Sequence, residues 1–132
     1  MVDATASVVM IIGADSDFTY LMQYYARKSG RQAAVSPPDI DALTLAKREQ
    51  PEVIVLEGDS GEAAGWDVLQ MLKADKATCH IPVVVCSWLD QGTSRLAEVS
   101  ACYLQKPVLY GDFLTALANV GCVGHEEQGD SL

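Results

Sequence analysis

Apolar residues along this chain fall into two alternating patterns. One is a short unbroken run rich in β-branched residues, which reads as a strand buried on both faces. The other spaces apolar residues three and four positions apart, which reads as an amphipathic helix. Val8 to Ile12 is the first run. It breaks at Gly13-Ala-Asp-Ser-Asp17, where Asp15 or Ser16 can cap the helix that follows, and Phe18, Leu21, Met22, Tyr25 and Ala26 carry that helix to Lys28-Ser-Gly30. Arg31 to Val35 is a weak second strand, and Ser36-Pro-Pro-Asp39 opens a helix running to about Arg48.

Pro51-Glu-Val-Ile-Val-Leu-Glu57 is the third run, a buried strand that delivers a carboxylate to its tip. A turn-rich linker leads to Gly65-Trp66, where a third helix begins, with Val68, Leu69, Met71 and Leu72 on its apolar face. Pro82 to Ser87 is a fourth strand ending on a hydroxyl, followed by a short helix from about Thr93 to Val99. Ala101 to Gln105 is the fifth strand, running into Lys106-Pro107, and Asp112 to Val120 is the last helix. Residues 8–120 therefore form the folded domain, and the tails 1–7 and 121–132, the second polar and glycine-bearing, are expected to be disordered.

Five strands alternating with five helices give an α/β fold with a doubly wound parallel sheet. Ligands of such sheets bind beyond the carboxyl ends of the strands. The groups expected there are Gly13, Ala14 and Asp15 after the first strand, Glu57 and Asp59 after the third, Ser87 and Trp88 after the fourth, and Lys106 after the fifth. An acid, a hydroxyl and a lysine converge.

Composition narrows the function classes. At 132 residues with 49% hydrophobic content the chain is one globular domain. A net charge of −9 argues against nucleic acid or an anionic membrane as partner, because both demand a basic surface. Cys79, Cys86, Cys102 and Cys122 show no paired spacing, so neither a zinc site nor a disulfide framework is expected. The run Val8–Ile12 is too short for a signal peptide or a membrane span, which gives a cytoplasmic reading.

The combination of these segments resembles the receiver domain of two-component response regulators, the CheY-like group, over residues 8–120. Pro51 to Glu57 followed by Gly65-Trp66-Asp-Val-Leu69 is similar to the family's phosphoacceptor strand and the helix after it. Ile81-Pro-Val-Val-Val-Cys-Ser87 resembles the strand ending in Ser or Thr, and Tyr103-Leu-Gln-Lys106-Pro107 resembles the switch aromatic, the lysine and the proline that follows. The resemblance implies a flavodoxin-like strand order 2-1-3-4-5. It also implies an aspartate that takes a phosphoryl group from a histidine kinase, Mg²⁺ held by two acids after the first strand, and phosphate contacts from the Ser/Thr and Lys.

The chain departs from that pattern where the chemistry lies. Glu57 stands at the acceptor position, and its extra methylene shifts the carboxylate away from a geometry that in-line attack requires. Gly13 and Ala14 stand at the acidic pair, with Asp15 one step on, so Mg²⁺ binding is expected to be weak or lost. Trp88 is expected to roof the pocket, and the shortened segment from Ser87 to Lys106 trims the fourth helix.

The reading is an atypical, phosphorylation-independent receiver that is not an enzyme and acts by contact with a histidine kinase or a downstream effector. A homodimer through the face of helix 4, strand 5 and helix 5 is a further expectation. Glu57 paired with Lys106 beside Ser87, with Tyr103 packed inward, would partially mimic the phosphorylated state, although one carboxylate charge is a weak substitute for an acyl phosphate. Asp59 reads as a solvated turn residue. Two alternatives remain: phosphorylation on Glu57 or on Asp59, with Asp15 and Asp59 as residual metal ligands, and a phosphatase using Asp15 and Asp17 as a D-x-D pair.

Overall fold

The computed structural model describes residues 7–59 and 62–121. The elements run β1 (Val8–Ile12), α1 (Ser16–Lys28), β2 (Gln32–Ser36), α2 (Ile40–Glu49), β3 (Val53–Glu57), α3 (Glu62–Ala74), β4 (Val83–Ser87), α4 (Leu96–Val99), β5 (Cys102–Gln105) and α5 (Tyr110–Asn119). The five strands form one parallel sheet in the order β2-β1-β3-β4-β5. This is the expected flavodoxin-like, CheY-like arrangement.

Side chains alternate across each strand, so the two faces of the sheet build two cores. Val9, Ile11, Val53, Val55, Val84 and Cys86 point to one side, against Phe18 and Met22 of α1 and Phe113 and Leu117 of α5. Met10, Ile12, Ile54, Leu56, Val83 and Val85 point to the other, against Ala42 of α2, Leu69 and Leu72 of α3 and Leu96 of α4. Every residue of β3 and β4 is buried, which is why their sequences are unbroken apolar runs rather than alternating ones. β2, at an edge, is only partly covered, and its weak signal in the sequence follows from that.

Helix starts differ from the sequence reading by a few residues. α5 begins at Tyr110 because Asp112 sits inside its first turn, where its carboxylate accepts the Leu109 amide at 3.0 Å. α3 begins at Glu62, before the Gly65-Trp66 pair. α4 is confined to Leu96–Val99, since residues 91–93 close a turn in which the Thr93 amide reaches the Asp90 carbonyl. α1 is capped by Asp15, whose carboxylate accepts the Asp17 amide at 3.0 Å.

The expected disordered tails lie almost wholly outside the described residues, as does Cys122. Their two described residues are both hydrogen bonded: the Ser7 carbonyl accepts from the Gln32 amide, and the Gly121 amide donates to the Ala118 carbonyl. Among the described residues no helix is long and apolar enough to cross a membrane.

Candidate functional site

A parallel sheet delivers the C-terminal ends of its strands to one edge, and there β3, central in the sheet, ends on Glu57. The residue is 3% exposed. A buried carboxylate needs donors for both oxygens, and the neighbouring elements supply them. Oε1 accepts the backbone amides of Ala14 and Asp15 at 3.0 and 3.1 Å, where the chain leaves β1 and turns into α1. Oε2 accepts Lys106 Nζ at 2.8 Å, and this ammonium is brought by the chain leaving β5.

The length of glutamate matters for this arrangement. The carboxylate reaches across to the β1 side of the edge and fills the space beside Gly13, where an added Cβ would lie only 2.8 Å from Oε1. Gly13 and Ala14 contribute no side-chain oxygen. Their loop meets Glu57 with backbone N–H groups.

Lys106 serves two carboxylates. Its Nζ also lies 2.8 Å from Asp59 Oδ2, and it sits 4.4 Å from the centroid of the Phe18 ring and 6.0 Å from that of Trp88. Burial pulls the Lys106 ammonium toward deprotonation, but the hydrogen bonds and charges of Asp59 and Glu57 outweigh it and hold its pKa above the ordinary lysine value.

Asp59 lies in the loop after β3 and is exposed, as expected. It reads as a solvated turn residue, yet its side chain is tied in at three points. Oδ2 meets Lys106, while Oδ1 accepts the Ser87 hydroxyl at 2.7 Å and the Trp88 amide at 3.0 Å. Burial raises its pKa, and the bonds from Lys106, Ser87 and the Trp88 amide together outweigh that and hold it below the usual carboxylate range. Ser87 was expected beside Glu57; its hydroxyl points to Asp59 instead.

Other expected residues are placed less centrally. Trp88 does not close over the pocket: it stands at the rim, 61% exposed, where it lines a cavity of about 310 Å³ with Ala14, Asp15, Glu57, Asp59 and Lys106. Tyr103 is half-buried against the α2–α3 side of the core, and its hydroxyl donates to the Leu89 carbonyl at 2.7 Å. Asp15 spends its carboxylate on the α1 cap, and Asp17 lies exposed in the first turn of that helix. Sequence reasoning missed the Ala14 and Asp15 amides, which no side-chain pattern signals. It also missed Phe18, whose position at the start of α1 was the only available hint.

No family model matches the chain. The chain is similar to the polar-differentiation response regulator DivK of Brucella ovis, 26% identical over 112 residues that cover 83% of this chain and 91% of the relative. DivK of Brucella anthropi matches at the same identity and coverage. Among solved structures, the chemotaxis response regulator CheY4 of Vibrio cholerae superposes with a TM-score of 0.78 at 13% identity, covering 88% of this chain and 99% of that one. A response regulator receiver domain protein from Clostridium thermocellum superposes at 0.72 with 20% identity, covering 86% and 93%.

Proposed function

We infer that this chain, a CheY-like receiver domain of the two-component response-regulator kind, signals without accepting a phosphoryl group and works by protein–protein contact. The observation that carries this reading is the state of Glu57, both of whose oxygens are engaged by donors of the same chain. A nucleophile must present a lone pair in line with the phosphorus; here Oε1 is held by two amides, Oε2 lies against an ammonium that lowers its nucleophilicity, and the residue is 3% exposed, so an incoming phosphoryl group meets a carboxylate already fixed in another direction.

The residues present do not fit Mg²⁺. The ion takes six oxygens at short, nearly octahedral distances, anchored by carboxylates. Gly13 and Ala14 offer no side-chain oxygens, Asp15 is committed to its cap, and Glu57 and Asp59 share an ammonium that a divalent cation would have to displace. Lys106 takes the role of the counter-charge. Asp59 is a poor alternative acceptor on the same grounds, since its oxygens already hold Lys106, Ser87 and the Trp88 amide.

In this reading the domain is not an enzyme. Its partner is a signalling protein in the cytoplasm, a histidine kinase or a downstream effector, and the acidic net charge of −9 disfavours nucleic acid and anionic membrane. Self-association through the α4–β5–α5 face belongs to the same proposal, although the four-residue α4 narrows that face.

Intact mass after incubation with acetyl phosphate and Mg²⁺ tests the reading, run beside Asp59→Asn. We expect an unchanged mass for both proteins. A gain of one phosphoryl group would overturn the reading, and its loss in Asp59→Asn would assign the acceptor to Asp59 rather than to Glu57.

A further inference from the structure

Trp88 and Leu89 follow β4 and are 61% and 43% exposed, two large apolar side chains displayed side by side. The backbone beneath them is held at all four of its polar groups. The Trp88 amide donates to Asp59 Oδ1 at 3.0 Å, and the Trp88 carbonyl accepts from Gln105 Nε2 at 3.4 Å. The Leu89 amide donates to the Ser87 hydroxyl oxygen at 3.0 Å, and the Leu89 carbonyl accepts from the Tyr103 hydroxyl at 2.7 Å. Exposed loop backbone ordinarily takes water as its partner. Here side chains from the β3 end, β4 and β5 replace it.

Two of these four bonds depend on Asp59. Its Oδ1 binds the Trp88 amide directly. It also takes the single hydroxyl proton of Ser87, which orients the lone pair of that oxygen toward the Leu89 amide. Lys106 in turn anchors Asp59 through Oδ2. The ionic site is thereby connected through one carboxylate to the apolar step at the surface.

We propose that Asp59 is a positioning residue, a clasp that holds the Trp88–Leu89 step in its displayed conformation. The proposal rests on the reading of a receiver that works without phosphotransfer and concerns how its charged site fixes the Trp88–Leu89 step. Losing the clasp leaves Ser87 free to turn and the Trp88 amide open to water.

The test is residue-resolved amide hydrogen exchange on the full chain, with the anisotropy of Trp88 read in a Trp66→Phe background. Asp59→Ala is expected to speed exchange at the Trp88 and Leu89 amides about tenfold or more and to lower the Trp88 anisotropy. Asp59→Asn retains an acceptor oxygen and is expected to recover much of the protection.

A merely structural role would raise exchange throughout the fold in proportion to lost stability, and that pattern overturns the clasp. So does unchanged exchange at both amides in Asp59→Ala. Should Asp59→Ala fail to fold, Ser87→Ala takes its place and must loosen Leu89. The phosphorylation reading fails separately: a phosphoryl gain in the mass experiment leaves the exchange result standing, and an unshifted mass does not protect the clasp from it.

Discussion

A Cβ atom added at Gly13 would lie 2.8 Å from Glu57 Oε1 and 3.1 Å from Glu57 Cβ, so the long carboxylate and the missing side chain depend on one another. The demand is spatial, because Gly13 is not among the glycines with positive φ. Gly13→Ala is therefore expected to destabilise the domain by about 1–3 kcal/mol, the usual cost of overpacking. In a Glu57→Ala background the same change should cost clearly less, because the 2.8 Å contact with Oε1 is gone while those with the Cβ of residue 57 at 3.1 Å and Thr19 Cγ2 at 3.3 Å remain. A urea double-mutant cycle checks this, and a Gly13→Ala cost that is equal in both backgrounds would sink the argument. The pairing of Glu57 with Lys106 was legible in the sequence because parallel strands must bring their C-terminal ends to one edge, whatever their loops do. The bonds Asp59 makes were not. It follows the strand by two residues, and neither periodicity nor turn composition specifies where a loop side chain points.

α4 is a single turn, too short to be stable alone, and its place depends on a few side chains. Leu96 is its buried residue, and a Cβ at Gly58 or Gly65 would lie 3.1 or 3.2 Å from Leu96 Cδ1. The two glycines thus make room for one leucine between the β3 end and α3. Arg95 adds a second hold, with its guanidinium 4.3 Å from the centroid of the Trp66 ring. Leu96→Ala is expected to cost about 2–5 kcal/mol and to free residues 94–100 to exchange before the sheet does. Protection lost uniformly, with α4 no faster than the strands, would contradict that picture. β3 and β4 were legible to within two residues, since burial on both faces leaves them unbroken apolar runs, whereas β2, only partly covered at the edge, gave a weak signal. The starts of α3, α4 and α5 were less so: the last helix was expected from Asp112, but it begins at Tyr110 and Asp112 accepts the Leu109 amide from within the first turn, a shift of two residues that spacing alone does not resolve.

The whole molecule carries nine excess negative charges, yet at its site one ammonium lies between two carboxylates. Asp15 lines the same cavity, and the acidic groups there outnumber Lys106. Asp59 has its pKa lowered by folding, so the stability it contributes is present above the ordinary carboxylate value and is lost as pH falls through the lowered one. Lys106 has its pKa raised, so its contribution is present below the ordinary lysine value and is lost only as pH rises through the raised one. The site therefore stabilises the fold across a window from about pH 4 to about pH 10, set by the two ordinary values. Within that window Asp59→Asn should be less stable than wild type by about 1–2 kcal/mol, a figure kept small because the Asp59 side chain is partly open to solvent. Urea unfolding of both proteins at pH 7 and at about pH 3 measures the gap. It should narrow at the acid end, where the aspartate of the unfolded wild-type chain takes up a proton that the folded carboxylate resists, so that the advantage of the charged form shrinks. A gap that stays constant between the two pH values would mean that the charge of Asp59 contributes nothing and that its hydrogen-bond geometry alone holds the loop.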